Sequence, residues 1–396
     1  KALEHWKYGD LFPEAPKLPR RGIVPGVDQL RIGFLSADFN AHSCAYFLLP
    51  LWEYLSSNGI ELFAYYNANR VDQVTEQLQR NAFVWRDVEN LSDADLRDLI
   101  IDDQLDVLID PAGHTKKNRL GVFGLRAAPV QLTWLGHPNT TGVKQIDWRI
   151  TDEHCDPEGS DHLYAETLYR LPIGNFGVYR PLVNRIAANR KIFKEQAPPC
   201  LSNGYITFGS CNNLAKLNDE CLNLWAKVLH LVPESKLFLE SAGFSQNEFR
   251  QMFLQKFSNL GIEEARVTLA DRDYARQYLI YNDIDICLDP FPCNGGTTTF
   301  DLVWMGCPFV TLEGDSFVSR MGTMVAHQIG KPEWIAKCHD EYLSIAKNLA
   351  SDFEALADLR MKQRQSVEQS PLMDESMFGE QFVQMLWNLT TEEEAR

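Results

Sequence analysis

The run Gly295-Gly296-Thr297-Thr298-Thr299 has the composition of a phosphate cradle. It follows an apolar run over 284–288 that predicts a buried strand, and it precedes a short helix expected over 300–305. The first N–H groups of a helix have no internal partner, and the aligned peptide dipoles put partial positive charge at that end. Glycine leaves room for a phosphate and threonine adds hydroxyls, so Gly295, Gly296, Thr297 and Thr298 are candidate ligands for an anionic diphosphate. An ordinary strand-to-helix connection capped by threonine fits the same spacing. Asp301 falls on the first turn of the expected helix, where it either caps that turn or accepts hydrogen bonds from a ribose hydroxyl.

Four other loops carry candidate chemistry, each after an apolar run. After 205–210 comes Cys211-Asn212-Asn213-Leu214-Ala215-Lys216, and Asn218 then starts a helix. Lys216 can act as a point charge on a diphosphate leaving group, although most isolated lysines are surface residues. After 31–36 come Asp38 and His42, a carboxylate and an imidazole suited to proton transfer or to capping the turn and helix that follow. After 105–110 come His114, Lys116, Lys117 and Arg119, which suit a phosphate, an acidic acceptor or plain solvent. After 130–135 comes the turn from Gly136 through Pro138 to Gly142, whose backbone can approach a ligand closely.

Other chemistries lose support. No GxGxxG follows a strand and no GxxxxGK[ST] occurs, which argues against a dinucleotide dehydrogenase and a P-loop enzyme. Asp283-Ile284-Asp285 has the DxD pattern of a metal-nucleotide site but lies at the entry of a strand, the wrong end, so no metal is expected there.

The elements that must position these residues alternate. Short runs without polar alternation at 31–36, 61–66, 105–110 and 130–135 read as strands buried on both faces, as in a parallel sheet. Helical patterns sit between them at 45–55 and 91–101. The rhythm breaks in a polar, basic stretch ending in Pro-Pro, then resumes with strands at 205–210, 236–241 and 266–270 and helices at 219–231 and 246–260. The expected organisation is an N-terminal helix and linker over 1–29, a Rossmann-like domain over 30–182, a linker over 183–203, and a second Rossmann-like domain with closing helices over 204–396. Two such α/β domains with mostly parallel sheets, facing a central cleft, bind ligands outside the carboxyl ends of their strands, where every candidate residue lies.

A chain of 396 residues with 45% apolar content can build two cores. Its net charge of −16 disfavours nucleic acid as a partner while allowing local basic sites. The nine cysteines lack any CxxC pair, which predicts reduced, packed thiols rather than disulfides or a zinc site. No apolar run reaches the roughly 20 residues a membrane span needs. The expectation is a soluble, cytoplasmic protein without a membrane partner.

Taken together, GFLSADFNAHS, AGHTKKNRL, RAAPVQLTWLGHPNTTG, SNGYITFGSCNNLAKL and DICLDPFPCNGGTTTFDLVWMGCPFVTLEG resemble the protein O-glycosyltransferases, from about Leu30 to the C-terminus. That family includes the O-linked N-acetylglucosamine transferases and the SPINDLY-type enzymes. The resemblance implies a GT-B fold and an inverting, metal-independent transfer of a sugar, from UDP-GlcNAc or alternatively GDP-fucose, to Ser or Thr of an acceptor protein. It implies no cofactor beyond the sugar nucleotide. By motif, Lys216 is similar to the family's diphosphate-contacting lysine, Thr297 and Thr298 to its phosphate-contacting threonines, and Asp301 to its ribose-binding acid. His42 matches the active-site histidine, Asp38 its neighbouring acid, Gly136 and Pro138 the turn near the sugar, and Arg119 a basic residue of the first domain. Asn213 stands where N-acetylglucosamine transferases often carry Gln, and Gly296 where many carry His. The tetratricopeptide repeats that normally precede this domain are not seen, and residues 1–29 are expected to be the stub of that connection. A non-catalytic scaffold that keeps only sugar-nucleotide binding is the alternative from another class.

Overall fold

The computed structural model describes residues 2–182 and 197–391. The chain divides into two compact units, Lys1–Arg180 with Asp374–Arg396, and Pro181–Met373. Most of the linker expected over 183–203 lies outside the described residues.

The first unit is built on seven strands: β1 (Arg31–Ser36), β2 (Glu61–Tyr66), β3 (Val84–Asp87), β4 (Val107–Asp110), β5 (Val130–Thr133), β6 (Trp148–Thr151) and β7 (Thr167–Arg170). All pair in parallel, in the order β3-β2-β1-β4-β5-β6-β7. β1 and β2 occupy the apolar runs read from the sequence, because strands covered on both faces need no polar alternation. β3 (VWRD), β6 (WRIT) and β7 (TLYR) mix charge with apolar residues and are additional to the expected strands.

The second unit adds β8 (Thr207–Ser210), β9 (Lys236–Glu240), β10 (Val267–Ala270), β11 (Ile286–Leu288), β12 (Phe309–Leu312) and β13 (Ile335–Ala336), in the order β10-β9-β8-β11-β12-β13. Relabelled from its own first strand this is 3-2-1-4-5-6, the doubly wound order. Its helix Asp219–Leu231 starts where Asn218 accepts from the Cys221 N–H at 2.8 Å. Cys221, Trp225, Val228 and Leu229 form the stripe that this helix buries against Phe208, Leu237 and Leu239.

Two boundaries differ from expectation. Residues 2–29 are docked on the first unit: Arg21 donates to the buried Asp106 carboxylate at 2.6 and 2.8 Å, and Gln145 Nε2 donates to the Pro13 carbonyl at 2.7 Å. The closing helix Glu375–Thr391, expected in the second domain, belongs to the first. Its Phe378 and Phe382 rings pack on Trp134, with centroids 6.5 and 5.5 Å away, and Glu375 pairs with Arg180. An amphipathic helix does not announce in sequence which core receives its apolar face.

Among the described residues no helix is long and apolar enough to cross a membrane. All nine cysteines are free, and only Cys338 is exposed.

Candidate functional site

In each sheet the winding direction reverses once, between β1 and β4 in the first unit and between β8 and β11 in the second. Loops leaving adjacent strands there diverge to opposite faces and open a crevice at the carboxyl edge. The sequence candidates of the second unit all sit on the two loops at its reversal point or on the helix that follows the second loop.

Three hydrogen bonds tie those loops together. Lys216 Nζ donates to the Asn294 carbonyl at 2.6 Å, Thr298 Oγ1 donates to Asn212 Oδ1 at 3.0 Å, and Asn218 Nδ2 donates to the Phe291 carbonyl at 2.8 Å. Lys216 is therefore held at the head of the Gly295-to-Thr298 turn. The helix runs over Thr297–Trp304, three residues earlier than expected, with Gly296 as its cap residue and no side chain capping it. Thr297 and Thr298 thus lie on its first turn, half-exposed, beside the amino end of the dipole. Asp301 falls past that turn and is not the helix cap. It is buried, and its charge acts on the buried Cys211 and Tyr281. Asn213 is exposed at the outer edge of the loop, its side chain capping the short turn Leu214–Lys216 through the Ala215 N–H.

The two glycines differ. A Cβ on Gly295 would lie 2.2 Å from Thr299 Oγ1 and 2.9 Å from Thr298 Oγ1, whereas one on Gly296 would meet nothing within 4 Å. Gly295 lets the turn close, and Gly296 leaves open space over the helix end.

Beneath the turn lies a residue that sequence reading misses. Asp289 is 2% exposed, accepts from the Gly295 N–H at 2.7 Å and from Thr311 Oγ1 at 2.8 Å, and fixes the start of the cradle. Burial pushes its carboxyl up to about 7, against those two hydrogen bonds and the nearby Lys216 charge. Its signal in the sequence is an acid directly after a buried strand. Glu240 and Arg272, paired at 3.0 Å where β9 and β10 end, escape sequence reading as well, and Arg272 also donates to the Cys211 carbonyl.

In the first unit Asp38 and His42 are neighbours: His42 Nδ1 is 3.9 Å from Asp38 Oδ2 and 3.3 Å from the Cys44 N–H that points at it. Burial raises the Asp38 carboxyl, opposed by His42. When Nδ1 accepts from Cys44, Nε2 carries the hydrogen; Nε2 becomes a proton acceptor only when Nδ1–H turns to Asp38. Cys44 is buried, and that burial together with Asp38 and Asp110 pushes its thiol well up.

Other first-unit candidates are committed elsewhere. Arg119 donates to Asp93 at 2.7 Å, Asn67 at 3.0 Å and the carbonyls of Val88 and Leu91, so it braces loops rather than presenting a free cation. Lys117 pairs with Glu89. His114 Nε2 donates to the Thr141 carbonyl at 2.8 Å and the ring stacks at 4.2 Å on His5 of the N-terminal helix, so it helps dock that helix. At Gly136 the backbone of Pro111 and Ala112 fills the space a side chain would need, and a Cβ there would lie 2.3 Å from the Pro111 carbonyl oxygen. That glycine serves loop packing, and Pro138 lies half-buried in the same turn.

Known proteins match this arrangement. The family described as glycosyl transferase family 41 matches residues 17–197 and 184–382. A relative from Petunia hybrida, named "Probable UDP-N-acetylglucosamine--peptide N-acetylglucosaminyltransferase SPINDLY", is 36% identical over 90% of this chain and 38% of its own length. The rice protein of the same name is also 36% identical, over 98% of this chain and 41% of its own. The chain thus spans about two fifths of the length of these relatives. Among solved structures, an O-GlcNAc transferase mutant from Thermobaculum terrenum superposes with TM-score 0.88 at 30% identity, over 98% of this chain and 74% of that one. HepE of Anabaena with UDP-glucose superposes with TM-score 0.57 over 91% of this chain and 100% of that one; at 12% identity it shows the fold alone. The fold is α/β of the GT-B class, and the chain belongs to glycosyl transferase family 41.

Proposed function

We propose that this chain moves N-acetylglucosamine from UDP-GlcNAc to Ser or Thr hydroxyls of acceptor proteins, by one displacement that inverts the anomeric centre. The observation that carries the reading is Lys216, fastened to the Asn294 carbonyl at the head of an uncapped helix. A diphosphate laid there meets the first-turn N–H groups, the Thr297 and Thr298 hydroxyls and the two ammonium hydrogens that Asn294 leaves unused. Its charge grows as the sugar departs, so fixed donors favour the transition state over the ground state. In this reading that set replaces a metal ion. The names of the Petunia and rice relatives support the donor and the protein acceptor.

His42, with Asp38 as orienting partner, is assigned to the proton of the acceptor hydroxyl, and Asp301 to the ribose. The packed, free thiols fit a reducing, cytoplasmic setting.

Calorimetric titration with UDP-GlcNAc and with GDP-fucose, followed by mass spectrometry of a Ser/Thr peptide incubated with each, tests the reading. The expected result is saturable UDP-GlcNAc binding and a peptide heavier by one N-acetylhexosamine. Binding and transfer with GDP-fucose alone would replace the donor; binding without transfer would favour the scaffold.

A further inference from the structure

We propose that Asp38, His42 and Cys44 form a binding site for Zn²⁺, and that the bound ion switches sugar transfer off. The second half rests on the proposed function; the first does not. The three residues lie in one seven-residue stretch, and a carboxylate oxygen, an imidazole nitrogen and a thiol sulfur from them all fall within 4.8 Å of one another. His42 Nδ1 and Asp38 Oδ2 are 3.9 Å apart, against roughly 3.3 Å for two ligands of a tetrahedral zinc with bonds near 2.05 Å. A small closure brings them into range.

The stretch is braced for this. The Asp38 N–H donates to Ser36 Oγ at 3.0 Å, the Ala41 N–H to Asp72 Oδ2 at 2.8 Å, and the Ala45 N–H to the His42 carbonyl at 3.0 Å. Cys44 stands just before the helix Ala45–Ser57, is 7% exposed, and its sulfur has no hydrogen-bond partner among the described residues. An unpartnered buried sulfur beside a carboxylate and an imidazole is a donor set without an evident structural use.

One sulfur, one nitrogen and one oxygen select a borderline-soft ion. Mg²⁺ and Ca²⁺ ask for oxygen shells, whereas Zn²⁺ takes this mixture with four ligands. The side chains of His42 and Asp38 are 39% and 19% exposed, which leaves the fourth position to water. On binding, the Cys44 proton passes to solvent and no electrons move. A metal held through His42 Nδ1 and Asp38 occupies the pair assigned to the acceptor proton, hence the inhibition.

Titration of the whole chain with Co²⁺ tests the site, because cobalt bound to a thiolate gives a near-ultraviolet charge-transfer band. The expected result is a saturable band that stoichiometric Zn²⁺ abolishes, and that is missing in Cys44→Ser and Cys44→Ala. Outer-shell changes alone weaken metals about 10–100-fold, so loss of the sulfur ligand should weaken Zn²⁺ at least about tenfold. Zinc inhibition of transfer, taken relative to each variant's own metal-free rate, should weaken in parallel. A band that survives both Cys44 variants, or that disappears only when exposed Cys338 is replaced, overturns the site. A Cys44-dependent band in a chain that zinc leaves fully active overturns the switch alone.

Discussion

At the scale of single residues, charge is governed by who is already holding it. Arg119 and Lys216 look alike in sequence, each a cation just after a strand. Arg119 has four of its contacts inside its own unit, while Lys216 spends one donor on a carbonyl and keeps two. Nothing in a single sequence reveals Asp93, at the start of the helix Asp93–Asp102, or Asn67 as partners from elsewhere in the chain, which is why the two read as equals there. Asp289 escapes notice for the opposite reason, since a buried acid under a turn acts through backbone N–H groups that have no sequence signature. It yields a prediction with a definite sign. Its carboxyl is raised from 3.8 to about 7 in the folded chain, so its contribution to stability is fully present below about 3.8 and is lost as pH rises through about 7. Asp289→Asn removes that titration. Melting temperatures of the second unit, followed from pH 4 to pH 8, should fall less steeply in the variant than in the parent. An unchanged slope would mean that Asp289 stays ionised throughout.

Elements show the same device used twice. Asp110 ends β4, accepts from the Ala112 and Gly113 N–H groups and from Thr133 Oγ1 of the neighbouring strand, and is raised by burial to about 6. Asp289 follows β11 and accepts from Gly295 N–H and Thr311 Oγ1. Both acids precede a proline, Pro111 and Pro290, and both close the loop at the point where their sheet reverses. The strands that carry these locks are legible because they are covered on both faces. The helix Thr297–Trp304 starts three residues before its expected position, since a run of β-branched threonines reads poorly as helix. The observed start puts the hydroxyls on the first turn and makes Gly295 the tight position. Gly295→Ala should crowd Thr298 and Thr299 at a cost of about 1–3 kcal/mol, weakening the donor about 5- to 150-fold. Gly296→Ala, with nothing within 4 Å, should weaken it far less. Calorimetry on the two variants checks the contrast, and equal losses would contradict it.

For the whole molecule, the two-unit plan follows from the alternation of elements and the polar, Pro-Pro-ended break in it, but the path of the closing helix does not. The helix Glu375–Thr391 returns to the first unit because its buried Phe378 and Phe382 rings pack on Trp134. The first unit is therefore closed by a helix from far along the sequence, Glu375–Thr391. Phe382→Ala should cost the first unit about 3–5 kcal/mol. Hydrogen exchange resolved by segment should show faster opening across β1, β4 and β5 with little change across β8 to β12. Uniform loosening of both would argue that the helix serves the whole chain.

The central claim is that a diphosphate rests on the head of the helix Thr297–Trp304 with Lys216 reaching to it. The most direct measurement is kcat for transfer from UDP-GlcNAc to peptide by Lys216→Met, alongside its melting temperature. Loss of one such donor costs about 10²–10³ in kcat, or about 2.7–4 kcal/mol, so a drop of that size in a protein that still melts cooperatively is predicted. A kcat within a few-fold of the parent would contradict the claim.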